Sequence, residues 1–186
     1  MSSSLFFLRK KLHGLRFMDL FQNQLEAFVI GLVSWVPTIF GMLLRNLLYR
    51  ALGMKVKGFC WIQPGVMFVN IHRLKVGRNF ACNSGTYINA LGSIEMGDDV
   101  LIGSNVTISA GKHEIEGREQ SVFSRPAIPL PIHFGNDIWL GAGTVILPGL
   151  QLANGTVTGA NSVITKDTES YSVMAGVPAR LIRYRE

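Results

Sequence analysis

The sequence predicts an all-β protein: a triangular parallel β-helix of six-residue repeats from Val56 onward, preceded by an α-helical segment and interrupted by one extended loop. Three observations carry this reading. Phe134, Leu140, Ile146, Leu152, Thr158 and Ile164 recur at a spacing of six. Four residues after each of the first five stands a second inward residue, in turn Ile138, Thr144, Leu150, Thr156 and Ser162. Gly135, Gly141 and Gly159 follow three of the large positions, where the chain approaches its neighbours closely or needs a conformation that a side chain hinders. Strands alternate every two residues, so a period of six requires a short strand and a corner per step, and three steps make one triangular coil.

The pattern reaches back through the chain. Met96, Ile102 and Ile108 repeat it, with Val100 and Val106 at the second position and Gly97 and Gly103 in the glycine slots. Val76, Cys82 and Ile88 with Phe80, and Val56, Ile62 and Phe68 with Val66, are earlier and weaker copies. Two-residue offsets between stretches predict small corner bulges. A β-sandwich of short strands is the competing fold, but nothing in a sandwich demands equal spacing over thirty positions. Between Ile108 and Phe134 the rhythm fails, so residues 110–131 are expected to leave the solenoid. That stretch holds His113, Glu114, Glu116, Arg118, Glu119 and Arg125, then Pro126, Pro129 and Pro131, a composition for a stiff polar loop with solvated Glu114 and Glu116. A long loop on a rigid scaffold is a functional candidate. The expected divisions are an N-terminal segment 1–55, the β-helix 56–182 with its loop 110–131, and a tail 183–186.

The N-terminal segment follows another rule. Ala27 to Leu44 carries no charge, but Gly31, Pro37 and Gly41 argue against a membrane span and predict a helical break near Pro37. Beyond it, Leu44, Leu47, Leu48, Ala51 and Leu52 recur at helical spacing, with Arg45, Asn46 and Arg50 elsewhere and Lys55 and Lys57 following. Such an amphipathic helix lies on a membrane, or packs against the β-domain or another subunit. The stretch Leu5 to Lys11 is apolar and basic without the order of a cleaved signal peptide, so a cytoplasmic protein, peripheral on an inner membrane, is expected.

The chain has 186 residues, 48% hydrophobic and 16% charged, enough for one main domain with an accessory segment. Its net charge of +6 suggests an anionic partner. Nucleic acid is the least favoured, because the basic residues are dispersed and no finger, helix-turn-helix or RNA-recognition signature is present. Cys60 and Cys82 stand alone, outside any metal-ligand or CxxC spacing, so neither a disulfide framework nor a structural metal is expected.

Val100-Leu-Ile-Gly-Ser-Asn-Val-Thr-Ile108, Gly135-Asn-Asp-Ile-Trp-Leu-Gly-Ala-Gly143, Gly159-Ala-Asn-Ser-Val-Ile-Thr-Lys-Asp167 and Ala175-Gly-Val-Pro-Ala-Arg-Leu-Ile-Arg183 together resemble the hexapeptide-repeat acyltransferases, particularly the sugar and polysaccharide O-acetyltransferases. The resemblance implies a left-handed parallel β-helix, an exception to the right-handed crossover rule. It also implies a homotrimer with active sites between subunits, an acetyl-CoA cosubstrate, a saccharide acceptor and no required metal.

Residue roles follow from the same resemblance. His113 occupies the place of the loop histidine that serves as general base, and a neutral imidazole suits that task near physiological pH. Ala142 matches the position whose backbone N–H meets the thioester oxygen, and Trp139 walls the thioester channel. Asn83, in Gly77-Arg-Asn-Phe-Ala-Cys-Asn83, matches the asparagine that holds the acceptor, through an amide that both donates and accepts. Ala160, Thr165 and Lys166 match positions along the pantetheine and nucleotide path, and Arg180 and Arg183 match basic residues near the adenosine phosphates, which suit a planar guanidinium fork.

The chain departs from the family in places. Glu114 follows His113 where proline is common, His133 replaces a β-branched residue, and the long apolar, basic N-terminus differs from that of enzymes acting on free small saccharides. The N-terminus points to lipid-linked sugars of O-antigen, capsule or exopolysaccharide. Competing readings are another small hydroxyl or amine acceptor (serine-type or nucleotide-sugar amine), a γ-carbonic-anhydrase-like metalloprotein and a silent trimeric scaffold. His13, His72, His113 and His133 lack the paired spacing of the metalloprotein's site.

Overall fold

The computed structural model describes residues 17–186; the apolar and basic stretch 5–11 and His13 lie outside the described residues. Two helices, Phe17–Val33 and Thr38–Ala51, lead into a parallel β-solenoid of about six turns. The break between the helices falls at Ser34 to Pro37, and Pro37 caps the second helix from extended backbone.

Short strands at equivalent places pair in register along the axis and build three faces. The first holds Lys55–Val56, Leu74–Val76, Ile94–Met96, Ile132–Phe134 and Gln151–Leu152. The second holds Cys60–Ile62, Phe80–Cys82, Val100–Ile102, Ile138–Leu140, Val157–Thr158 and Ser172–Gly176, and Ala179–Tyr184 closes its far edge antiparallel. The third holds Met67–Val69, Tyr87–Asn89, Thr107–Ser109, Val145–Ile146 and Val163–Ile164. The six-spaced residues are the core: Phe134, Leu140, Ile146, Leu152, Thr158 and Ile164 are all buried, as are Ile138, Thr144, Leu150, Thr156 and Ser162 at the corners.

The two-residue offsets have one location. Early turns advance by twenty residues, as Phe68 pairs with Ile88, and later ones by eighteen, as Val145 pairs with Val163. The surplus falls at the corner between the third and first faces, where Ile71–Arg73 forms a 3₁₀ turn. The long loop leaves the solenoid at this same corner, after Ser109.

Corners are held by side chains that copy the sheet's hydrogen bonding. Asp98 accepts from Arg78 N at 2.8 Å, Asn136 from Asp98 N at 2.8 Å and Asn154 from Asn136 N at 2.7 Å, one rung per turn. The Arg78 backbone N–H foremost, and then its guanidinium, hold the Asp98 carboxyl below its usual range. The glycine slots resolve in favour of close approach. A Cβ on Gly97 lies 2.3 Å from Asn136 Oδ1, and one on Gly103 lies 2.7 Å from Leu140 O. Left-handed backbone occurs elsewhere, at Gly65, Gly85, Asn105, Gly143 and Asn161, equivalent positions of successive turns.

The first turn has an open edge, and the helices close it. Asn46 donates to Cys60 O at 2.6 Å and accepts from Cys60 N at 2.9 Å, standing in for an absent strand. Arg45 donates to Ile62 O at 3.0 Å, Val33 O at 3.1 Å and Val36 O at 2.7 Å. Glu26 accepts from Ile71 N at 3.0 Å and meets His72 Nδ1 at 2.5 Å. The other end is treated likewise: Gln151 N donates to Asp167 at 2.9 Å and Ala153 N to Thr168 at 3.0 Å. These edges need partners because an unpaired buried amide or carbonyl costs more than a typical hydrogen bond returns.

Three expectations change. The second helix departs from a simple amphipathic reading: Arg45, 1% exposed, and Asn46 face inward beside Met42 and Tyr49, Leu44 and Leu48 pack half-buried against the core, and Leu47 faces out. The exposed strand edge needs donors and an acceptor, so these two polar side chains are buried among apolar ones. Residues 183–186 are not a free tail, since Arg183 and Tyr184 belong to the last strand and Arg185 N donates to Tyr171 O at 2.8 Å. The loop is an arm with structure of its own: Gly111–His113 and Ala127–Pro129 form an antiparallel ribbon, with His113 opposite Ala127. Arg125 closes its tip on Gly117 O at 2.8 Å and Gln120 O at 3.1 Å.

Burial depresses the Arg45 guanidinium's tendency to hold its proton, and its three carbonyl partners offset that cost. Replacing it by methionine, of similar length, leaves those carbonyls without this donor. Arg45→Met is expected to lower unfolding free energy by about 2–4 kcal/mol, read as a fall in the urea midpoint with little change in slope; an unchanged midpoint contradicts the capping role.

Candidate active site

The expected site residues lie on the second face and the corner after it, on the arm and its corner, and on the closing strand. On the second face, strand alternation turns Trp139 outward between Ile138 and Leu140, and it is 52% exposed. Leu101 and Val157 flank it in register on the neighbouring strands. The chain then turns the corner toward the third face at Gly141, Ala142 and Gly143. Ala142 is exposed; its carbonyl accepts from Asn161 N at 2.8 Å, while its N–H donates to no described residue. A backbone N–H left without a partner at a rigid corner is a preorganised donor whose availability does not depend on the side chain.

The register exposes a row that the repeat alone did not. Asn83, Gly103, Gly141 and Gly159 are equivalent, each following the last inward residue of its second-face strand. Three glycines therefore floor this corner, and Asn83 is half-buried at the end of the row nearest the helices. Ala160 is exposed one turn beyond Ala142. Trp139, Ala142, Ala160 and Asn83 thus share one edge of the prism.

His113 does not. It ends the first strand of the arm, which springs from the corner between the third and first faces; its imidazole is exposed and takes no hydrogen bond from the described residues. The base of the arm is fixed: Leu130 N donates to Ala110 O at 3.0 Å, and a Cβ on Gly92 lies 2.3 Å from Leu130 N. Glu114, expected to be solvated, is a turn cap instead, accepting from Ile115 N and Glu116 N at 3.0 Å each. The Glu116 bond foremost holds its carboxyl below the usual range. Where the family commonly has proline, this chain stiffens the arm with a carboxylate.

Thr165 and Lys166 follow Val163–Ile164 at the same corner as the arm, two turns on. Arg180 and Arg183 lie in the closing antiparallel strand, opposite Ala175 and Val173. Each donates only to a main-chain oxygen of its own strand, Arg180 to Ala179 O and Arg183 to Tyr184 O, both at 3.0 Å. Among the described residues neither meets a carboxylate, whereas Arg185 pairs with Asp137 at 2.8 Å. One chain therefore separates the residues into two sets, the channel set with Asn83 at one corner and His113, Thr165 and Lys166 at the next.

Cys60 and Cys82 point into the core, and burial pushes the Cys60 thiol up to about 11. His72 is engaged with Glu26, and His133 projects from the first face, so one chain does not gather its described histidines. Among the described residues no three His, Cys, Asp or Glu side chains converge as a metal would need.

No protein-family model matches the chain. It is 34% identical over 139 residues to galactoside O-acetyltransferase from Escherichia coli K12, covering 75% of this chain and 68% of that one. The chain belongs to the hexapeptide-repeat acetyltransferase family. The "Putative lipopolysaccharide biosynthesis O-acetyl transferase WbbJ" of Escherichia coli K12 is 34% identical over 113 residues, 56% of this chain and 57% of the relative. Among solved structures, a galactoside acetyltransferase in complex with coenzyme A superposes with a TM-score of 0.80 at 30% identity, covering 88% of this chain and 80% of its own. The solenoid is accordingly the left-handed parallel β-helix of the family.

The glycine floor has a measurable consequence. A Cβ on Gly141 lies 2.5 Å from the backbone oxygen of Thr158, so the corner must open to admit it, whereas a Cβ on helical Gly31 meets nothing within 4 Å. Gly141→Ala is expected to cost about 1–3 kcal/mol, and Gly31→Ala to gain roughly 0.5–1 kcal/mol, in urea denaturation. Equal effects at both sites contradict the close packing of the corner.

Proposed function

We propose that this acetyltransferase moves the acetyl group of acetyl-CoA to a saccharide hydroxyl, as a homotrimer, during assembly of a surface polysaccharide such as O-antigen, capsule or exopolysaccharide on a lipid carrier. The observation that carries the reading is the free Ala142 N–H beside outward Trp139, above a corner floored by glycine.

The chemistry is direct transfer. His113 accepts the acceptor's hydroxyl proton as that oxygen attacks the thioester carbon. The carbonyl oxygen becomes an oxyanion and takes a hydrogen bond from Ala142 N–H. The carbon–sulfur bond then breaks; the acetyl group stays on the acceptor oxygen, and the coenzyme A thiolate leaves with the proton from His113. Trp139 walls the thioester, Ala160, Thr165 and Lys166 line the pantetheine path, and unpaired Arg180 and Arg183 suit the phosphates. Asn83 orients the acceptor.

The separation of His113 from Asn83 and Ala142 supports assembly, because a second chain laid alongside brings one chain's arm corner to the other's channel corner. The faces agree with such packing. The second and third present Trp61, Leu101, Trp139, Met67 and Tyr87 outward, while the first presents Lys55, Lys75, Glu95 and His133.

The test is thiol release from acetyl-CoA with free, nucleotide-linked and lipid-linked sugars. Acceptor-dependent release is expected, and His113→Ala should lower kcat by about 10²–10⁴ with acetyl-CoA binding kept. Undiminished turnover removes His113 from the mechanism. Sedimentation velocity should show a trimer; a monomer with full activity contradicts a site shared between chains.

A further inference from the structure

The two-helix cap is apolar on both sides: inward it buries Ile30, Val33, Met42 and Tyr49 together with four polar side chains, and outward it leaves large apolar side chains exposed. Glu26, Ser34, Arg45 and Asn46 are buried. Phe21, Leu25, Phe28 and Leu32 form an exposed stripe along the first helix, and Ile39, Phe40, Leu43 and Leu47 another along the second. Both helices pack on the first turn, so both stripes face away from the solenoid. Trp35, 70% exposed, sits where the helices meet, its ring against Gly65. Nine large apolar side chains are more than the isolated surface hydrophobes of a soluble monomer.

Charge decides between occupants. From residue 17 to the first strand of the solenoid the acidic residues are Asp19 and Glu26, and Glu26 is buried against Ile71 and His72. Exposed Arg50 stands one helical turn beyond Leu47, exposed Lys55 and Lys57 follow in the first turn of the solenoid, and the sequence before the first described helix contains Arg9, Lys10, Lys11 and Arg16. An apolar face followed in the chain by basic residues, with a tryptophan at its edge, complements an anionic lipid surface. No described helix is long and apolar enough to cross a membrane. Apolar surface for subunit contact is supplied separately by the second and third faces.

We propose that the outer face of the helix pair is a lipid-docking surface that seats the solenoid end-on upon an anionic bilayer. This deepens the lipid-linked acceptor reading above and rests on it only for the acceptor's identity. With the cap against lipid, the arm and the channel corner stand above the interface, within reach of a glycan whose carrier is embedded beside the enzyme.

The experiment is co-sedimentation of the full chain with vesicles of phosphatidylglycerol and phosphatidylcholine, against vesicles of phosphatidylcholine alone. Wild type should bind the anionic vesicles more tightly, and Phe28→Ser/Ile39→Ser/Leu43→Ser should lose at least about tenfold in partitioning. Its circular dichroism and turnover on a free saccharide should match wild type. Equal binding by wild type and variant, or none by either, overturns the proposal. So does a variant that instead breaks a larger oligomer, which assigns the face to a second copy. Vesicle binding without turnover on any acceptor rejects the catalytic reading and leaves the lipid seat standing.

Discussion

Every turn of a parallel solenoid lends its backbone hydrogen bonds to the next, and the first turn has nothing beneath it. The structure depends on how that edge is closed. Asn46 supplies both a donor and an acceptor to Cys60, as a strand would, and Arg45 and Glu26 take up further carbonyl and amide groups. An edge left bare would be a template for pairing with other chains. Closing it from helices places Glu26, Arg45 and Asn46 among the inward apolar residues Ile30, Val33, Met42 and Tyr49, so one interface serves both hydrogen bonding and burial.

The site obeys a related constraint. Turns stack at the strand spacing of about 4.8 Å, and at the corner after the second face this leaves no room for a Cβ on Gly103 or Gly141. At this tight corner the Ala142 N–H donates to no described residue, and the backbone holds it without help from a side chain. The corner between the third and first faces is looser. It absorbs extra residues in the early turns and the whole arm later, so a rigid corner and a variable one occupy different edges of one prism.

Much of this was legible in the residues. The spacing of six from Phe134 to Ile164 reports the core because each step buries one large side chain, and Pro37 reports the helical break because its ring cannot continue the turn. Three things were not legible. The burial of Arg45 and Asn46 beside Leu44 and Leu48 is not written in hydrophobic spacing, which cannot register a strand edge that needs donors. The ribbon in the arm was hidden because its pairing, Gly111 with Pro129, is set by the turn at Gly117 and Arg125 rather than by apolar alternation. The equivalence of Asn83 with the glycine row needed the register, since early and late turns differ in length. The roles of His113, Asn83, Arg180 and Arg183 came from resemblance to the family, and the backbone adds where each one stands.

The turn is also a unit of height. Asn83 leaves the second turn, the arm leaves the third and Ala142 belongs to the fourth, all counted from the helical cap. Inserting one complete turn below the arm would raise the chemistry by about 4.8 Å while keeping every corner facing the same way. Reach and chemistry are therefore separable in this architecture: residues at the corners set what is bound, and the number of turns beneath them sets how far from the cap it is held.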